Sequence, residues 1–255
     1  MPFRRLITKI LIGLLLSVGT SWASADPSSA FFDGNGVKLH YVQEGKGEPI
    51  ILLHGLYASA NMNWQKPGIF SWLAKDHEVI ALDLPGHGES DKPDNAAAYG
   101  VQMANDVALL MDHLHIAKAN IVGYSLGGLI AFRFIADHPE RVLSGTLGGM
   151  GWMQAGSSQQ HRWEQMDPGI TISSTPSVCV NSMGKLALTK DQVLSIKVPM
   201  EIIVGDRDPV LKNYVVRLHA LRPDWPIIQI KGAGHISCVT KPQFQDELTR
   251  WIDAK

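Results

Sequence analysis

The stretch Asn120-Ile121-Val122-Gly123-Tyr124-Ser125-Leu126-Gly127-Gly128 sets a serine at the junction of a strand and a helix. An apolar strand ends at Val122, and a helical pattern runs over 129–136. A strand that turns sharply into a helix strains the serine backbone and lifts its Oγ clear of the sheet. Glycines flank the serine at 123 and 127 because a side chain there would collide with the neighbouring strand or helix. The helix N-terminus behind Ser125 adds a positive dipole end, and the Leu126 N–H can point at a developing oxyanion.

Outward from this turn, short apolar runs alternate with helical patterns. Ile50-Ile51-Leu52-Leu53, Val79-Ile80-Ala81-Leu82, and the runs 142–147, 200–204 and 227–230 read as strands. They lack polar alternation, as parallel strands buried on both faces do. Val101, Ala104, Val107, Ala108, Met111 and Leu114 keep helical spacing, and so do Phe244, Leu248 and Trp251. Ahead of them, residues 31–42 read as a hairpin around Asn35-Gly36, two residues that tolerate positive φ. The expected fold is α/β: a doubly wound, mostly parallel sheet with an antiparallel N-terminal hairpin. Residues 150–197 break the alternation, with Trp152, Met153, Trp163, Met166 and Met183 among Gly, Ser and Pro. A connection that long predicts a short lid over a site, with a plain packing helix pair as the alternative.

A serine hydroxyl needs a base to take its proton. His235 follows Gly232-Ala233-Gly234 after the last strand, and Asp206 and Asp208 follow Gly205 after the strand before it. Serine, carboxylate and histidine thus each stand just beyond a strand's carboxyl end, where open α/β sheets place their ligands. His113 and His115 are two apart and share no helical face, and no third ligand suggests a metal site.

In these features the chain resembles the α/β-hydrolase family, over essentially all of 26–255. His54-Gly55-Leu56 is similar to the family's oxyanion loop, which implies that the Leu56 N–H pairs with that of Leu126. Asp83-Leu84-Pro85-Gly86-His87-Gly88-Glu89-Ser90 is similar to the family's turn after the next strand, with a structural role near the serine. The family pattern sets the acid three residues past the strand-ending glycine, which selects Asp208 over Asp206. The resemblance implies a catalytic triad of Ser125, Asp208 and His235, acyl transfer to water, and no metal or organic cofactor. Members with an aspartate at the elbow, the haloalkane dehalogenases and epoxide hydrolases, are disfavoured by Ser125. Tyr57, Trp64, Tyr124, Met150 and Trp152 are candidates for an apolar substrate pocket. They suit a small to medium apolar carboxylic ester, and the same residues could instead be core. The triad equally suits a thioesterase, lactonase, amidase, C–C bond hydrolase or cofactor-free haloperoxidase, and the fold also suits a slow-turnover ligand-binding protein.

Composition bounds the rest. With 255 residues, 45% hydrophobic and 18% charged, the chain can bury one large core. A net charge of −1 gives no field that would draw nucleic acid. Arg4, Arg5 and Lys9, an apolar run over 10–18 and Ala23-Ser24-Ala25 have the three parts of a secretory signal peptide at 1–25. That run is too short to span a bilayer, so no stable membrane anchor is expected after cleavage, and a periplasmic or extracellular location follows. Oligomeric state is not legible. Cys179 and Cys238 are the two cysteines, so export permits a disulfide tying the lid to the His235 loop, with two free thiols as the alternative.

Overall fold

The computed structural model describes residues 27–166 and 174–254. The leader expected at 1–25 lies outside them, as does the middle of the 150–197 segment. Eight strands form one sheet: β1 (Ser28–Asp33), β2 (Lys38–Gly45), β3 (Pro49–Leu53), β4 (Glu78–Leu82), β5 (Ala119–Tyr124), β6 (Val142–Gly148), β7 (Met200–Gly205) and β8 (Ile227–Ile230). Their order across the sheet is β1-β2-β4-β3-β5-β6-β7-β8, antiparallel over the first three and parallel after that. Asn35 and Gly36, with φ of 57° and 87°, turn the β1–β2 hairpin, and Gly34 and Val37 exchange backbone hydrogen bonds across it. The expected doubly wound sheet with its antiparallel start is the observed architecture.

Alternate residues of the central strands enter two separate cores. Ile51, Leu53 and Ile121 join one with α2 (Val101–His113) and α3 (Leu126–Asp137). Ile50, Leu52 and Val122 join the other with α1 (Ile69–Leu73) and, at the C-terminus, α9 (Pro242–Asp253). This two-sided burial explains the strands' unbroken apolar runs. In α9 the fully inward set is Phe244, Leu248 and Ile252, and Trp251 is only half-buried beside them. α3 begins at Leu126, three residues ahead of the sequence expectation, because Gly127 and Gly128 are its first turn.

The chain leaves β3 for β4 on one side, and β5 lies on β3's other side, with Leu53 opposite Gly123. Connections that diverge in this way open a crevice at the carboxyl ends of the two strands. Segment 150–197 carries α4 (Ser158–Glu164), α5 (Ser177–Ser182), a tight turn at Met183–Leu186 and α6 (Lys190–Ser195). It is fastened by the Trp152 Nε1–H, which donates to the Leu188 carbonyl at 2.9 Å, and by Leu188 N–H to Met153 at 3.0 Å. After β7 come α7 (Val216–Leu221) and, past β8, the four-residue α8 (His235–Cys238).

Candidate active site

Ser125 adopts φ 54° and ψ −113°, a strained backbone for a residue with a side chain. Two backbone bonds hold it there: its N–H donates to Gly148 at 2.8 Å, and its carbonyl accepts from Leu129 at 3.1 Å. Space forces the glycines around it, since a Cβ on Gly123 would stand 2.0 Å from the Gly127 carbonyl oxygen. The result is a hydroxyl raised between β5 and α3, as the strand–turn–helix pattern predicts.

Ser125, His235 and Asp208, the acid that the family resemblance selects over Asp206, meet. His235 Nε2 lies 2.9 Å from Ser125 Oγ, and His235 Nδ1 lies 2.8 Å from Asp208 Oδ2. With Nδ1–H donating to the carboxylate, Nε2 is left to accept the serine proton. The Asp208 side chain is fully buried while the imidazole is 34% exposed, so the acid is shielded and the base reaches solvent. The other Asp208 oxygen accepts the Val210 N–H at 2.9 Å. Asp206, by contrast, is exposed.

The loop after β3 comes up against the serine. A Cβ on Gly55 would lie 3.4 Å from Ser125 Cβ, and the next residues are Leu56 and Tyr57, the latter at φ 60°. Leu126 N–H is the first amide of α3 and has no carbonyl a turn behind it. The loop is fixed from below by a buried polar network. Asp83 accepts the Ala60 N–H at 2.7 Å, the Glu89 N–H at 3.0 Å and the His40 Nδ1–H at 2.8 Å. Burial alone would raise the Asp83 pKa, but those N–H donors hold it below the usual carboxylate range. The Leu84 N–H donates to His54 Nε2 at 3.1 Å, so His54 carries its proton on Nδ1 and gives it to the Gly55 carbonyl at 2.8 Å. Burial lowers the pKa of His54 and takes that of His87 to about 3, so both rings are neutral. The 83–90 motif therefore has the structural role expected of it. Asn63 was not legible: its Oδ1 accepts the Gly55 N–H at 2.8 Å, a contact across a turn that no spacing rule announces.

The pocket candidates divide. Trp64 is fully buried in the α1/α9 core with Leu52 and Phe70, because the turn Asn61–Gln65 swings it to the sheet's far face, so it is corrected from pocket to core. Tyr124 is 3% exposed on that same face, and its hydroxyl donates to the His235 carbonyl, so it too is corrected from wall to support. Met150 and Trp152 are buried in the α2/α3 core, Met150 where a Cβ on Gly128 would touch it. Tyr57 stays half-buried in the loop after β3, its pKa raised by burial and then by nearby Cys179. The candidate disulfide is also corrected. Cys179 and Cys238 are free thiols, packed in cores on opposite faces of the sheet. A surface cavity of about 720 Å³ along α4, lined by Ser158, His161, Arg162, Gln165 and Met166, includes none of the triad.

Residues 48–171 match the α/β-hydrolase fold family. The chain is 40% identical over 120 residues to the dihydrolipoyllysine-residue acetyltransferase component of the acetoin cleaving system of Cupriavidus necator, covering 46% of this chain and 30% of that protein. It is 24% identical to an uncharacterized carboxylesterase of Bacillus subtilis, covering 86% of this chain and 84% of that one. A solved N-acyl homoserine lactone degrading enzyme superposes with a TM-score of 0.69 at 26% identity, covering 87% of this chain and 99% of that one. This chain spans 30–36% of the length of the curated relatives that it matches at 38–40% identity.

Proposed function

Because the chain belongs to the α/β-hydrolase fold family, we propose that it is an exported serine hydrolase that cleaves a small to medium apolar carboxylic ester through an acyl-enzyme. The observation that carries this reading is the continuous relay from Ser125 Oγ through His235 to Asp208, at 2.9 and 2.8 Å. Ser125 attacks the ester carbonyl as His235 Nε2 takes its proton. Asp208 holds the imidazole's orientation and stabilises the imidazolium. The oxyanion is received by the Leu126 and Leu56 N–H groups, the first at a helix N-terminus. His235 then protonates the leaving alcohol and activates the water that releases the acid.

Tyr57 is the pocket candidate best placed to meet substrate, beneath a lid formed by 150–197. The leader at 1–25 directs the chain out of the cytoplasm, and fractionation with the mature N-terminus read by mass spectrometry tests that. For the activity, p-nitrophenyl esters of graded acyl length are assayed beside Ser125→Ala. Turnover that vanishes in the variant supports the reading, and turnover equal in both, or absent from both, overturns it. A second substrate draws support from the 26% identical lactone-degrading structure. A lactone is a cyclic ester that the same relay would open, and acid release from N-acyl homoserine lactones tests it.

A further inference from the structure

Tyr124 immediately precedes the nucleophile, yet its side chain belongs to the other face of the sheet. Its ring is wedged in place: Phe244 meets it edge-on with centroids 5.8 Å apart, and a Cβ on Gly148 would lie 2.8 Å from it. Gly149, at φ 53°, runs so close that a Cβ there would be 2.9 Å from Tyr124 Cζ. The ring therefore has one position, and that position aims the hydroxyl at the turn carrying His235.

The hydroxyl donates to the carbonyl of His235, the first residue of α8. It thus ties the start of α8 to the end of β5, next to the nucleophile.

We propose that Tyr124 is a positioning residue for His235, acting through the His235 backbone carbonyl; the proposal rests on the triad reading above. Both ring nitrogens of His235 are engaged, with Asp208 and Ser125, and the chain ahead of it is Gly232-Ala233-Gly234. A glycine-rich approach leaves the base's backbone free to wander, and the Tyr124 hydroxyl fixes it from a strand that also carries Ser125. Removing the hydroxyl takes away the side-chain donor that holds the His235 carbonyl in place. The His235 backbone is then free to shift, which lengthens the approach of Nε2 to Ser125.

The test is Tyr124→Phe beside the parent in the full mature chain, on p-nitrophenyl butyrate, with rates expressed per site titrated by a fluorophosphonate; Ser125→Ala, which has no site to titrate, is assayed per total protein. Titration removes any unfolded fraction from the comparison. The expected result is a kcat lower by about 10- to 100-fold with KM within about twofold, since misplacing a catalytic group by an ångström costs on that order. Phosphonylation should slow in parallel, and the downfield His235 Nδ1–H resonance should shift. A Tyr124→Phe enzyme with unchanged kcat per site and an unmoved resonance overturns the proposal, whatever its melting temperature. If Ser125→Ala itself keeps its activity, the triad reading fails instead, independently of Tyr124.

Discussion

The carbonyl oxygen of Leu53 lies 2.1 Å from where a Cβ on Gly127 would stand. The first turn of α3 is thus pressed on the last residue of β3, which is how the serine and the loop after β3 come to share one crevice. Neither partner can yield, because both are backbone. Gly127→Ala should therefore destabilise the chain by about 3 kcal/mol or more. Gly234→Ala is the informative partner, because at φ −94° its Cβ would meet nothing closer than 4.0 Å. It should leave stability within about 0.5 kcal/mol. Urea unfolding of the two variants decides the matter; equal losses would refute the steric account.

Asp206 and Asp208 are two residues apart and chemically identical, so exposure and contact must tell them apart. Asp208 is buried against His235, and Asp206 faces solvent. Asp208→Asn should reduce kcat by roughly 10³- to 10⁴-fold with little change in fold, because the amide no longer holds the required tautomer. Asp206→Asn should stay within about twofold of the parent, as a surface substitution does. Comparable kinetic losses in both variants would mean that the triad's acid is misassigned.

Burial pushes the Cys179 and Cys238 thiols up to about 12, and the sheet separates them. At pH 8 neither offers appreciable thiolate, and thiolate is the form that reacts. Ellman's reagent should label neither in the folded chain and both after unfolding. A reductant should leave the melting temperature where it was. A reductant that lowers it would restore the disulfide.

What could be read ahead of the structure was local chemistry. Asn35-Gly36 announces a turn, Gly123 and Gly127 announce close backbone approach, and Ser125, Asp208 and His235 each follow a strand's end. Side-chain direction was harder. Ending the fifth strand at Val122 hid the parity that sends Tyr124 to the same face as Val122, under His235 rather than into a pocket. Trp64 was lost for a related reason, since a five-residue turn rather than a strand or regular helix sets its direction. The cysteines and Asn63 depend on which elements finally touch, and no local pattern encodes that. The helical stripe of α2 is legible in its spacing, but that spacing does not mark the acid lying among its apolar residues.

That acid is Asp106, 1% exposed, whose Oδ1 accepts from Gln102 Nε2 at 2.8 Å. Burial pushes its pKa from 3.8 up to about 7, and the Gln102 bond only partly opposes this. Between about pH 4 and 7 the folded chain keeps a proton that the unfolded chain has released. Stability therefore falls as pH rises through that window, and above it the whole penalty is present. Asp106→Asn keeps the shape and an acceptor for Gln102 while removing the charge. At pH 8 it should be more stable than the parent by roughly 2–4 kcal/mol, at about 1.4 kcal/mol per pKa unit. At pH 4 the two should be nearly equal. Urea titrations at both pH values measure the difference, and a gain that does not depend on pH would show that the carboxyl is not held protonated by its burial.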